Sequence, residues 1–202
     1  VTIVPMSTSE HSCKIIALVG LAGSGKSSAV EYLTEKGFPK IYFGGVIYKA
    51  MDEAGIEKTW DNQQQFREEI RRREGKDFVI KRVIKNIHDL INAGQNKIVL
   101  DGLYTWSEYK FLKHEFPGQV VVIAIVTPKY LRYQRMAKRI ERPMQPHEVD
   151  QRDWSEIENL EKGGPIAIAD YFIINDGSLE QLHQKIDAAT HDAHFCKSPE
   201  QC

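Results

Sequence analysis

Five short apolar runs punctuate the chain: 15–19 IIALV, 41–43 IYF, 98–100 IVL, 120–126 VVVIAIV and 171–174 YFII. They are β-branched or aromatic and do not alternate with polar residues, as strands buried on both faces should be. Helical patterns separate them. After Asp77, the residues Ile80, Val83, Ile84, Ile87 and Ile91 recur at helical spacing, and Gly94 is placed to end that helix. Leu179, Leu182, Ile186 and Ala189 form a second stripe, opened by a Ser178–Gln181 capping box. Strands alternating with helices imply a parallel sheet covered by helices on both sides. The expected fold is therefore α/β, three layers built on five parallel strands. The mostly helical segment 55–95 lies between the second and third strands. It reads as an insertion on the rim of the sheet rather than a second core.

At 202 residues the chain suits one domain. That domain is expected over 13–190, between loose tails at 1–12 and 191–202. The histidines of the second tail, His191 and His194, read as tail rather than as metal ligands. With 27 Lys and Arg against 28 Asp and Glu, the net charge is −1. This balance gives no overall attraction to nucleic acid or to an anionic membrane. Three cysteines, Cys13, Cys196 and Cys202, include no close-spaced metal pair and fit a reducing compartment. No apolar run approaches the ~18 residues of a membrane span. Residues 1–12 lack the basic start and long apolar core of a secretory leader. The cytoplasm is the expected location. The chain opens on Val1, and Met6 is one candidate for the natural start.

The first strand runs into Gly-Leu-Ala-Gly-Ser-Gly-Lys-Ser-Ser, residues 20–28. Gly20, Gly25, Lys26 and Ser27 satisfy G-x-x-x-x-G-K-[ST]. Glycines let a backbone curl until its N–H groups point inward at phosphate oxygens. A helix starting near Lys26 adds the positive end of its dipole. Residues 20 and 22–28 (Ala22, Gly23, Ser24 and Ser28 included) are thus the expected cradle of a nucleoside triphosphate. Lys26 is placed for the β- and γ-phosphates and Ser27 for Mg²⁺. The third strand, KIVLD, ends on Asp101, a second anchor for the magnesium shell. Capping of the next turn is the plainer reading of that aspartate. In a parallel sheet both anchors sit at the carboxyl edge, where ligands bind.

Arg132, Arg135, Arg139 and Arg142 follow the fourth strand at offsets of three, seven and ten, which puts them on one helical face. Tyr133, Met136, Ala137 and Ile140 fall on a neighbouring, inward face. Arginine forks match phosphate oxygens, and charge accumulates on a phosphoryl group in transit. A solvated basic stripe is the alternative, and Arg135 and Arg139 are the expected functional pair. Residues 144–154, MQPHEVDQRDW, then read as a flap carrying Arg152 over the site. Arg67, Arg71, Arg72 and Arg73 interleave with Glu68, Glu69 and Glu74 in the insertion. They fit either mutual ion pairing or an acceptor-phosphate site.

Together, GLAGSGKSS, REEIRRREG, IVLDG, LRYQRMAKR, QRDWSEIE and IADYFIINDGSLEQL resemble the nucleotide-kinase branch of the P-loop proteins. More narrowly, they resemble a group related to dephospho-CoA kinase, close to adenylate and cytidylate kinases. The resemblance covers about residues 14–187. It implies a P-loop NTPase fold with a small lid at 140–160, and ATP and Mg²⁺ as cofactors. It implies transfer of the γ-phosphate to a nucleotide-like small molecule such as a nucleoside monophosphate. Asn175, Asp176 and Gly177 would lie in a loop near adenine. The sequence departs from the pattern on the acceptor side. Asp101-Gly102-Leu103-Tyr104-Thr105 lacks the arginine of D-G-x-P-R, and Gly45 and Tyr48 stand where an acid and an arginine are expected. An acceptor site rebuilt from Tyr48, Lys49, Arg67 and Arg71 is one expectation. Dephospho-CoA kinase itself, or an ATP-binding switch with little transfer, are the alternatives.

Overall fold

The computed structural model describes residues 14–75, 77–140 and 142–195, without the side chains at 14, 60, 61, 63, 64, 67, 71, 194 and 195. Its strands are β1 (Lys14–Val19), β2 (Lys40–Tyr42), β3 (Lys97–Asp101), β4 (Val120–Val126) and β5 (Tyr171–Ile174). They form one parallel sheet in the order β2-β3-β1-β4-β5, with β1 at its centre. Parallel neighbours need long crossovers, and helices supply them. The helices are α1 (Lys26–Glu35), α2 (Phe43–Glu53), α3 (Trp60–Glu74), α4 (Phe78–Asn92), α5 (Trp106–Glu115), α6 (Lys129–Ala137), α7 (Pro146–Glu158), α8 (Gly163–Ala167) and α9 (Leu179–Phe195).

Side chains alternate across the central strand and divide the core in two. Ile15, Ala17 and Val19 of β1 join Leu100, Val122 and Ala124 on one face, under Met51 of α2, Ile80, Val83 and Ile87 of α4, and Leu112 of α5. Ile16 and Leu18 join Val99, Ile123, Ile125 and Ile173 on the other, under Ala29, Val30 and Leu33 of α1 and Leu182, Ile186 and Ala189 of α9. Full burial of one such aliphatic side chain stabilises the fold by about 1.5–3 kcal/mol. Phe66 and Ile70 carry α3 into the first of these clusters, so segment 55–95 shares the main core.

Several expectations shift by a few residues. Phe43, read as the end of a strand, instead opens α2, where its ring is fully buried against the sheet. β2 is an edge strand of three residues with only Ile41 buried, so it needs no longer apolar run. Ser178 and Gln181 form the reciprocal cap at the start of α9: Gln181 N donates to Ser178 Oγ at 3.2 Å and Ser178 N to Gln181 Oε1 at 2.9 Å. Leu179, assigned to the packed stripe, is exposed, because it sits in the first turn beyond the sheet edge. α9 continues to Phe195, into the stretch expected as tail. Residues 1–13 and 196–202, with all three cysteines, lie outside the described residues. No helix among the described residues is long and apolar enough to cross a membrane.

The largest correction concerns the arginines. α6 ends at Ala137, so Arg139 and Arg142 lie beyond the helix and share no face with Arg132 and Arg135. Ile140, expected inward, is 101% exposed, and Ala137 is exposed as well. Met136 is the last residue of α6 to reach the interior. Helical spacing holds only while the helix lasts, and Lys138 already caps it.

Candidate active site

A cleft of about 580 Å³ opens at the carboxyl edge of the sheet. Gly20 to Ser28 form one wall. Tyr42, Asp101, Tyr104, Arg135, Arg139, Arg152, Lys162, Asn175, Gly177, Leu179 and Leu182 complete it.

The glycine-rich wall is shaped by contacts that admit no side chain at two points. A Cβ on Gly20 would come within 2.5 Å of the Ile125 carbonyl oxygen. Gly25, at φ +95°, caps α1 in the left-handed region, and a Cβ there would meet Asn175 Nδ2 at 2.2 Å. That amide holds the loop from behind. Asn175 Nδ2 donates to Ser24 O at 2.8 Å, and Thr127 Oγ1 lies 3.0 Å from the same carbonyl and 2.9 Å from Asn175 O. Arg135 donates to Thr127 Oγ1 at 3.3 Å. Arg132, expected in a solvated or phosphate-facing stripe, is instead buried. It donates to Ala22 O at 3.1 Å and makes a two-pronged pair with Asp153 of α7 at 2.9 and 2.5 Å. The Ser24 hydroxyl is buried with no hydrogen-bond partner among the described residues.

Lys26 Nζ donates to Asp101 Oδ1 at 2.9 Å, joining the two anchors across β1 and β3. Both side chains keep a little exposure, 15% and 16%, toward the cleft. Ser27 is exposed in the first turn of α1. The Ser27 hydroxyl and the Asp101 carboxylate are oxygen donors, the chemistry a hard divalent cation takes. Among the described residues no group of three or more His, Cys, Asp and Glu gathers to hold a metal alone. A cation here would thus share its shell with ligand oxygens or water.

The facing wall was less visible in the sequence. Arg152 Nε donates to Glu156 Oε1 at 2.9 Å, and Lys162 Nζ donates to Glu156 Oε2 at 2.6 Å. Lys162 is only 3% exposed. Burial holds its ammonium below the ordinary lysine pKa, against the pull of Glu156. Burial works to raise the Glu156 carboxyl too, but Lys162 and Arg152 together keep it below its ordinary value. Two cations lie close to Tyr104: its ring centroid is 5.9 Å from Lys26 Nζ and 5.2 Å from Lys162 Nζ. Burial, reinforced by Tyr42 and Asp101, holds its phenol well above the usual tyrosine range, so it stays protonated. Lys162 has no periodic signal around it. Only the Gly163-Gly164-Pro165 run that follows it, the start of α8, marks the place.

The structure therefore gathers Gly20, Ala22, Gly23, Ser24, Gly25, Lys26, Ser27, Ser28, Asp101, Arg135, Arg139, Asn175 and Gly177 around one cleft. Asp176 is exposed and faces Lys185 at 3.5 Å. Lys49 lines a second cavity with Lys40, Tyr42, Asn86 and Asp89, on the far side of Tyr42. Tyr48 is half-buried on α2, 6.0 Å from Lys58 across its ring. The side chains of Arg67 and Arg71 lie outside the described residues.

A family model described as an AAA domain matches residues 16–163. The "UPF0200 protein" of Thermococcus gammatolerans is 30% identical over 175 residues, covering 85% of this chain and 91% of that protein. The chain belongs to the AAA-domain family and to the UPF0200 proteins. Among solved structures, shikimate kinase from Bacteroides thetaiotaomicron aligns with a TM-score of 0.56 at 12% identity, over 88% of this chain and 98% of that one. Dephospho-CoA kinase from Campylobacter jejuni aligns at 0.52 and 18%, over 89% and 97%. At such identities the likeness concerns the fold. This UPF0200 chain thus has the α/β fold of P-loop kinases, with its glycine-rich loop where such a fold carries its phosphate-binding turn.

Proposed function

We propose that the chain is an ATP- and Mg²⁺-dependent phosphotransferase acting on a small nucleotide-like acceptor, of the class of a nucleoside monophosphate. One observation carries this reading: the glycine-rich loop, Lys26, Asp101, Arg135, Arg139 and Arg152 line one cleft. Backbone N–H groups of residues 20–28 would cradle the phosphates, and Gly177 with Leu179 and Leu182 would border the base. Asn175 would act from behind the loop, fixing its curl through Ser24. Ser27 and Asp101 would hold Mg²⁺, which neutralises phosphate charge when bound. Lys26 leaves Asp101 for the phosphates as nucleotide enters. Arg135 and Arg139 stabilise the charge that builds on the phosphoryl group in transit, so catalysis is largely positioning and electrostatics. A shift of α2 toward the cleft would be needed for Tyr48 and Lys49 to meet an acceptor.

The test is ADP release from Mg-ATP with and without a panel of acceptors: nucleoside monophosphates, their deoxy forms, nucleosides and dephospho-CoA. Turnover of ~1–100 s⁻¹ with one acceptor, lost in Lys26→Ala, is the expected result. Tight ATP binding with no acceptor-dependent turnover would favour an ATP-binding switch instead.

A further inference from the structure

β5 is the last strand of the sheet, and among the described residues its outer edge meets no further strand. One bond fixes how its backbone is turned. Asn175 N donates to Val126 O at 2.7 Å, and the register sets Phe172 beside Ala124 and Ile174 beside Val126. A parallel ladder draws on alternate residues of each strand. Tyr171, Ile173 and Asn175 therefore turn their peptide groups to β4, while Phe172 and Ile174 turn theirs to the free edge. Lys185 Nζ donates to Ile174 O at 2.6 Å, as an outward carbonyl allows.

The same two residues also bare their side chains. Ile173 packs with Leu182 of α9 on one face of the sheet, so Phe172 and Ile174 point to the other face, with Ala124 and Val126. Helices α2, α4 and α5 cover that face over the inner strands. At its β5 end Phe172 is 56%, Ile174 55% and Val126 38% exposed. The opposite edge of the sheet is guarded: β2 has three residues and carries the exposed Lys40. Lysine, proline and short length are what keep edge strands from pairing. β5 is Tyr-Phe-Ile-Ile, with neither charge nor proline.

We infer that β5 pairs antiparallel with β5 of a second copy of this chain, about a two-fold axis at Ile173, joining two five-stranded sheets into one. Self-complementarity selects this occupant. With Ile173 opposite its own image, Phe172 falls opposite Ile174 of the second copy, and Ile174 opposite Phe172. The outward peptide groups then exchange N–H···O bonds at both places. The phenyl and aliphatic side chains meet across the strands on one face. The strand ends match in charge as well. Asp170 comes opposite Asp176 of the second copy, and each brings its own lysine, Lys113 at 3.1 Å and Lys185 at 3.5 Å. Antiparallel pairing sets the two carboxyl edges at opposite ends, so both clefts stay open.

The test joins analytical ultracentrifugation to residue-resolved amide exchange, each across a range of protein concentration. The mass of the wild type should climb from 23.1 kDa toward twice that value. The amides of Phe172 and Ile174 should exchange about fivefold more slowly at the concentrated end, while Ile173, bonded to β4, changes little. Phe172→Lys alters an exposed side chain. It should keep the melting temperature of the dilute wild type, stay at the monomer mass and lose the protection at both amides. Ile174→Lys takes its place if that variant fails to fold. A wild type that stays monomeric, a dimer whose two amides exchange at the monomer's rate, or a folded Phe172→Lys that still dimerises overturns the pairing. So does protection that ignores concentration and vanishes in a chain begun at Met6, which would give the edge to residues 1–5.

Discussion

The two walls of the cleft are built on different principles. The loop wall is held by short contacts to backbone: Asn175, Thr127 and Arg132 reach Ser24 O, Asn175 O and Ala22 O. Such contacts fix a shape whether or not a ligand is present. The facing wall is a set of long charged side chains, Arg152, Glu156 and Lys162, holding one another. Its members can trade partners. A preformed cradle serves a ligand that never varies, while a wall of exchangeable ion pairs serves one that must be recognised and released.

If this contrast holds, damage to the loop wall is abrupt and damage to the facing wall graded. The largest effect is expected from Asp153→Ala. It strands the buried Arg132 guanidinium and should cost about 3–5 kcal/mol of stability, read by chemical denaturation. A loss under 1 kcal/mol would show that the loop does not depend on α7. Lys26→Ala should lower transfer by about 100- to 1,000-fold while the melting temperature barely moves. Wild-type turnover in the folded variant would remove Lys26 from the chemistry. Asn175→Ala leaves Ser24 O with Thr127 alone and should cost about 1–3 kcal/mol, with weaker ATP binding by calorimetry. Arg139→Ala should reduce kcat by about tenfold and leave the KM for ATP nearly unchanged. The reverse pattern would make Arg139 a binding group.

The smallest effect is a pH dependence. The folded Glu156 carboxyl titrates below its ordinary 4.5, so the folded state binds fewer protons than the unfolded chain in that window. Its contribution is present above about pH 4.5 and is lost as the pH falls through the folded value. Glu156→Gln should therefore show a shallower acid limb in a stability–pH curve. Equal slopes would mean that Glu156 is not held by its two cations in solution.

The loop wall was legible because its information is contiguous. Gly20 to Ser28 carry turn, helix start and lysine within nine residues, and Asp101 ends an unmistakable strand. The sheet was equally plain, since buried parallel strands need unbroken apolar runs. The facing wall was not, because ion pairs carry no period. Arg132 meets Asp153 through a fold that brings α6 against α7, and no local pattern says so. The same blindness extended one helix too far beyond Ala137. Residues 138–142, KRIER, hold no glycine to mark the break and set Ile140 at helical spacing from Met136, so the pattern runs on past the end of the helix.

Arg132 has one further consequence. A single guanidinium grips the loop at Ala22 O and α7 at Asp153, so neither can move without the other surrendering a hydrogen bond. By linkage, whatever tightens the loop must also weight the position of α7, and by the same free energy in return. The neighbouring Trp154 is more than half exposed on that helix. Any movement of α7 that the loop imposed through Asp153 would carry this indole, its next residue along the chain, with it.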